Sequence, residues 1–224
     1  MRHGRAALSR TTEMKTDTLI DLLARSAGPA PRALAARRLS PAALVGLLVS
    51  AGAAIFWFGA IPADMFATAV PWTKMVYAGA LALAAAWLTA RLSRPAASAM
   101  RPRRALLAVL IIMALVGAIS LISEPSGART QALLGSSWSR CPWTVLLLSL
   151  PALAASLWAV RGLAPTRPRA AGFAAGLLAG SVGAFGYALS CSEASPAFVA
   201  VWYTLGIALT GAVGAVLGPR LLRW

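Results

Sequence analysis

Two cysteines, Cys141 and Cys191, and one carboxylate, Glu193, are the residues of this chain best suited to chemistry. Cys191-Ser-Glu193 puts a thiol and a carboxylate two residues apart. Cys141 lies some fifty positions earlier, at the entrance of another apolar run. Three chemistries fit such a set. An even number of cysteines in one oxidising compartment suits a structural disulfide. Thiolates with a carboxylate suit a soft or borderline ion, copper or zinc, and a second subunit or Glu124 could complete the short ligand set. A thiol pair can also answer oxidants by exchange. No CxxC is present, which argues against a dedicated disulfide oxidoreductase.

Other chemistry is poorly provided for. His3 is the only histidine, and no phosphate loop, nucleotide fingerprint or haem-attachment motif occurs. No carboxylate falls within an apolar run, so a proton relay lacks its usual parts. An enzyme is therefore not expected, and no catalytic residue is assigned. A small transporter, or an assembly factor handling redox groups or metal, is the competing reading. It would need a polar path that the runs do not offer.

The elements that must position the cysteines follow from composition. The 224 residues are 59% hydrophobic and only 12% charged, with a mean hydropathy of +0.73. A soluble domain carries about a quarter charged residues. The sequence therefore predicts an all-α, polytopic membrane protein with lipid as its medium. Six apolar runs are long enough to span: Ala42–Ala60, Pro71–Ala90, Ala105–Ser123, Thr144–Val160, Ala170–Ser190 and Ala197–Leu217. Lipid leaves no water for backbone groups, so these runs must be helices.

Charge sets the orientation. The net charge of +15 does not form one nucleic-acid patch, but comes in bursts between runs, and no nucleic-acid partner is expected. All 21 lysines and arginines except Lys74, Arg129 and Arg140 fall in one alternate set of connections. That set is the N-terminal segment, residues 91–104, residues 161–169 and the tail after Leu217. The positive-inside bias places it, and both termini, in the cytoplasm. Both sulfurs then sit exposed at the outer face, with Asp64, Glu124 and Glu193. Lys74, at one end of its run, is expected to snorkel outward.

The chain divides into residues 1–13, without periodicity and readable as an over-called start; a cytoplasmic segment, 14–41; the six-span bundle, 42–217; and a tail, 218–224. The first apolar run begins too deep for a secretory signal, and Glu13, Asp17 and Asp21 count against a transit peptide. Within the second part, Met14 to Ala24 reads as a short amphipathic helix. Thr16 or Thr18 can cap it, Leu19, Leu22 and Leu23 share a face with Ile20 beside it, and Gly28-Pro29 stops it. A helix this short is marginal in water, so its stripe needs cover from the membrane surface, the bundle or a partner groove. Small-residue seams at Gly172, Gly176 and Gly180, and at Gly214 and Gly218, allow close helix contact within the chain or between copies, so a homo-oligomer stays open. Pro151 is expected to kink the fourth span.

Four segments stand out: the opening Met14-Lys-Thr-Asp-Thr-Leu-Ile-Asp-Leu-Leu-Ala, the loop Leu163-Ala-Pro-Thr-Arg-Pro-Arg-Ala-Ala-Gly172, the ending Gly218-Pro-Arg-Leu-Leu-Arg-Trp224, and the block Tyr187-Ala-Leu-Ser-Cys191-Ser-Glu193 followed by Phe198-Val-Ala-Val-Trp-Tyr-Thr-Leu-Gly206. Together they resemble the NrsF-type membrane anti-sigma factors of proteobacteria, and the last block is the most specific. The resemblance implies a six-span protein of the bacterial inner membrane. Its cytoplasmic N-terminal segment would hold an extracytoplasmic-function sigma factor, with Leu19, Ile20, Leu22 and Leu23 as anchors. Periplasmic Cys141 and Cys191 would report heavy-metal or oxidative stress and release it. Family members often carry histidine just before the second cysteine. Here that residue is Ser190, which shifts weight toward Cys and Glu ligands or disulfide chemistry.

Overall fold

The computed structural model describes residues 16–26, 34–94, 97–163 and 165–223. Among them all regular structure is helical. The chain separates into two units, Met1–Leu34 and Ala35–Trp224. The first contains α1, Thr16–Ser26, with Asp17 in its first turn and Arg25 in its last, both matched to the helix dipole. The helix starts at Thr16, so Thr18 lies inside it rather than capping it; Met14 and residues 1–13 and 28–29 lie outside the described residues. Leu19, Ile20, Leu22 and Leu23 are all exposed on α1.

The second unit holds six helices long and apolar enough to cross a membrane. They are α2 (Leu34–Phe58), α3 (Ala69–Leu92), α4 (Met100–Ser123), α6 (Cys141–Arg161), α7 (Pro168–Tyr187) and α8 (Pro196–Leu221). A short α5, Arg129–Leu134, lies in the connection between α4 and α6. Most of these helices outrun the apolar segments. Thus α2 begins two turns before Ala42 and continues through Pro41, and α4 takes in Arg101, Arg103 and Arg104. A helix need not stop where hydrocarbon stops, because polar side chains can follow its backbone into the interface. Pro151 lies inside α6, which stays helical on both sides of it.

α7 is the centre of the bundle, packed against α3, α6 and α8. Its glycines set the closest contact. A Cβ on Gly172 would run into the Gly214 carbonyl, and one on Gly176 would lie 2.8 Å from Gly211 Cα and strike the Thr210 carbonyl. One on Gly180 would lie 2.9 Å from Ile207 Cα. The seam is thus used within the chain, backbone to backbone and antiparallel. For apolar helices in lipid there is no hydrophobic drive to associate, so van der Waals contact of this kind would carry the packing. Other close approaches complete the bundle: Gly46 faces Ala152, with only 2.5 Å between an added Cβ and the alanine methyl, and Gly183 faces Ser149. The first residues of α7 meet the last of α8, while Gly206, early in α8, meets Pro142 and Val145 at the start of α6. Cys141 and the exit of α7 therefore share one end of the bundle.

Gly176→Val is expected to lower the stability of the purified protein by on the order of 3 kcal/mol, since it overpacks backbone that cannot yield. Gly52→Ala, in a helix with nothing within 4 Å of the added Cβ, should be neutral or slightly stabilising. Thermal melts in one detergent compare the two; equal melting temperatures for wild type and Gly176→Val would refute the seam.

Candidate functional site

Three elements bring the cysteines together. Cys141 is the first residue of α6, followed by Pro142, whose missing N–H costs nothing in a first helical turn. Cys191 follows the turn that closes α7, where its N–H donates to the Tyr187 carbonyl at 3.0 Å. The α2–α3 connection is pinned at the same place by Ile61 N–H donating to Leu189 O, 2.9 Å. Both cysteines are free thiols. They are close enough for a charge on one to act on the other.

Two expectations need correction. The sulfurs are not exposed at the outer surface: Cys141 is 0% and Cys191 3% accessible. They are the polar floor of a packed helix end rather than a solvent-facing pair. Lys74 does not snorkel outward either. It is 1% exposed and its Nζ donates to the Cys191 carbonyl at 2.6 Å. Sequence position marked Lys74 as close to an interface but could not show which way it points. Its ammonium also acts on Cys141 and is the only buried charge among the described residues. Burying a lone ammonium is costly unless a partner compensates. Here a carbonyl does so in part, and a thiolate beside it would do so more fully.

Two tyrosines complete the surroundings. Tyr187, at the end of α7, and Tyr203, on α8, stack at 5.9 Å between ring centroids, and both face the Cys191 side chain. Residues Val199–Tyr203 form a π-helical turn, a widening frequent at functional sites, and it carries Tyr203 into the core. The Tyr203 hydroxyl and that of Ser190 are buried without a hydrogen-bond partner. Two unmatched polar atoms beside Cys191 are unusual in a finished interior and suit a site that accepts a further polar or ionic group. Neither the tyrosines nor the π turn is legible as part of the site from the sequence; the block Tyr187 to Glu193 followed by Phe198 to Gly206 is the one pointer to them.

Glu193 does not join the sulfurs. Its Oε1 accepts from Ser136 N–H at 2.8 Å, from Ser136 Oγ at 2.6 Å and from Ser137 Oγ at 2.9 Å. Gly135, at φ +59° and with Glu193 Oε2 only 2.5 Å from where a Cβ would be, leaves the room for this clasp. Among the described residues no three His, Cys, Asp or Glu side chains form a group able to hold a metal ion. The carboxylate instead ties the α5–α6 connection to the segment after α7. Trp202 strengthens the tie by donating from Nε1 to Leu133 O at 2.9 Å and packing on Trp138, 5.5 Å away. Glu124, at the end of α4, lends its carbonyl to Arg129 Nε at 3.1 Å and takes no part.

Burial pushes the Glu193 carboxyl up, but the serine hydrogen bonds outweigh it and hold the group below its usual range. A depressed value means the clasp stabilises fully above the unfolded carboxyl's pKa of about 4.3. That contribution is lost as pH falls through the lower folded value. Glu193→Gln should cost on the order of 1 kcal/mol at neutral pH, after allowance for solvent screening. The gap in melting temperature from wild type should close on acidification. A gap that is absent at neutral pH, or that widens in acid, would contradict the clasp.

The family described as negative regulator of sigma F, NrsF, matches residues 23–224. The anti-sigma-F factor NrsF of Caulobacter vibrioides (strain NA1000 / CB15N) is 41% identical over 214 residues, covering 94% of this chain and 100% of that protein. The probable anti-sigma-F factor NrsF of Azospira oryzae (strain ATCC BAA-33 / DSM 13638 / PS) is 38% identical over 216 residues, with 94% and 100% covered. No solved structure matches. The match to nearly the whole chain, by family and by full-length relatives alike, means that the chain belongs to the NrsF family of negative regulators of sigma F.

Proposed function

We propose that this chain is a membrane-bound anti-sigma factor. Its N-terminal segment holds an extracytoplasmic-function sigma factor on the cytoplasmic side of the inner membrane, and Cys141 and Cys191, facing the periplasmic end, govern release. The observation that carries the reading is the burial of two free thiols near one another, one at the start of α6 and one just past α7, at the end of the bundle away from the arginine-rich connections. Family membership supplies the sigma-factor partner. On α1, Leu19, Ile20, Leu22 and Leu23 offer an apolar stripe of the kind a helix lays into a partner groove.

The sulfurs can act in two ways. A thiophilic ion such as Cu(I) or Zn(II) would be held by the two thiolates, which supply soft ligands and two negative charges to set against the ion and Lys74. Alternatively a peroxide oxidises the pair: each thiol gives up one proton and one electron, the sulfurs join, and the peroxide bond takes both electrons and both protons. Either event ties the start of α6 to the exit of α7. Because the thiols are buried, access requires this end of the bundle to open. For release, the tied state must bind sigma factor less well than the free one.

Two measurements test the reading. A fragment spanning Met14–Leu39 should capture a sigma factor encoded in the same genome, and Leu19→Asp with Leu22→Asp should abolish capture. Capture that survives both substitutions would remove the stripe from the interface. In a reporter strain, Cys141→Ser and Cys191→Ser should give the same unresponsive phenotype to metal or oxidant. A single mutant with a wild-type response would show that the pair does not act as a unit.

A further inference from the structure

The opposite end of the bundle holds a second built feature. α4 packs on α3 and, near its C-terminal end, on the start of α8, where Gly117 admits Ala197 and Ala200. Its N-terminal half stands off from α7 and α8 and leaves a groove of ≈ 460 Å³. The lining is almost wholly apolar: Leu81 and Leu88 from α3, Leu106 and Leu110 from α4, and Phe173 and Leu177 from α7. At its arginine-rich end the groove runs into a polar pocket of ≈ 340 Å³, and Leu92 and Arg103 line both. Arg91, Arg94, Arg103 and Arg167 surround this second pocket, with Ser98 and Thr166.

We propose that this paired groove and pocket is a binding site for an anionic phospholipid, with an acyl chain between α4 and α7 and the phosphate among the four arginines. The apolar part is too poor in polar groups for an extended peptide, whose backbone would go unsatisfied there. Among the described residues the lining of the arginine pocket holds no acidic side chain to balance its charge. Guanidinium forks match a phosphate diester in shape and charge. Basic pockets between spanning helices are established lipid headgroup sites in other proteins. A chain and a headgroup joined at Arg103 reproduce the layout of one lipid molecule, apolar below and anionic above. The lipid would fill the gap beside α4, the least buried of the six helices, and so brace it against α7. The inference needs only a bilayer around the bundle and is independent of the sigma-factor tether.

Native mass spectrometry of the full chain, released from micelles containing equal phosphatidylglycerol and phosphatidylcholine, tests it. One phosphatidylglycerol should be retained in preference to phosphatidylcholine. Arg91→Gln with Arg103→Gln should weaken that retention roughly tenfold, as expected for losing one or two charge-assisted contacts. Arg220→Gln with Arg223→Gln removes the same charge elsewhere and should leave it unchanged. Leu110→Trp, which fills the groove without touching the arginines, should also expel the lipid, and a large excess of inorganic phosphate should not. Equal retention of both lipids, or equal loss in the two arginine pairs, would overturn the proposal as mere charge attraction. Displacement by inorganic phosphate would reduce it to an anion site, and doubling of the mass without lipid would give the groove to a second copy.

Discussion

The bundle depends on backbone touching backbone along α7. In lipid, burying a leucine against another leucine gains little over burying it against an acyl chain. Helices hold together where their axes come close enough for many atoms to meet. Gly172, Gly176 and Gly180 allow α8 that approach, Gly183 admits α6, and Gly186 admits Ser50 of α2. α7 is thereby buried nearly all round. The segment that leaves α7 is then fixed as well. Cys191 lies four residues past the helix end and is held where α3, α6 and α8 converge, and this convergence brings Lys74, Cys141 and Tyr203 to the same point.

A buried thiol pair differs from an exposed one in what it can sense. Exposed sulfurs would react with any oxidant or ion at a rate set by collision. Sulfurs at 0% and 3% exposure would react only if the end of the bundle opened. The Glu193 clasp and the Trp202 contact join the segments that flank this end of the bundle. Lys74 bears on the sulfurs in another way. A buried ammonium satisfied by one carbonyl leaves a place of positive potential that favours an anion next to it. Ionised sulfur answers that need, and the same ammonium opposes a bare cation until thiolates have formed beside it.

The sequence made the architecture legible because span length and charge bias are blunt, cumulative signals. Twenty apolar residues in a row have one reading, and arginines on alternate loops confirm the count. The pairing of Cys141 with Cys191 came from the same alternation of loops. Direction and depth were not legible. Lys74 one turn inside a span can reach water or reach inward, and only the position of the Cys191 carbonyl decides. Glu193 two residues from a thiol looked like a ligand, but the Ser136 N–H and the two serine hydroxyls, more than fifty positions away in the chain, capture its carboxylate first. The π turn at Val199–Tyr203 leaves no periodic trace. Helix ends were misjudged for a related reason: Arg101 to Arg104 mark the edge of the hydrocarbon, while the hydrogen bonds of α4 continue past it.

The two ends of the bundle answer to different physics. At the thiol end the polar groups around the sulfurs are enclosed, and Ser190 Oγ and Tyr203 Oη are buried there without a partner. At the arginine end the charges line open pockets, and α4 stands off from α7 while α7 and α8 stay in contact. A change at the enclosed end must therefore travel along rigid elements before it meets anything soft. α6 and α7 are the direct lines, since each carries a cysteine at or beside one terminus and an arginine-rich connection at the other. Glycine-to-backbone contacts have little slack, and tilting one of these helices shifts its partner rather than compressing the interface. The N-terminal half of α4 lacks such contacts with α7, and the groove between them is where the bundle has slack.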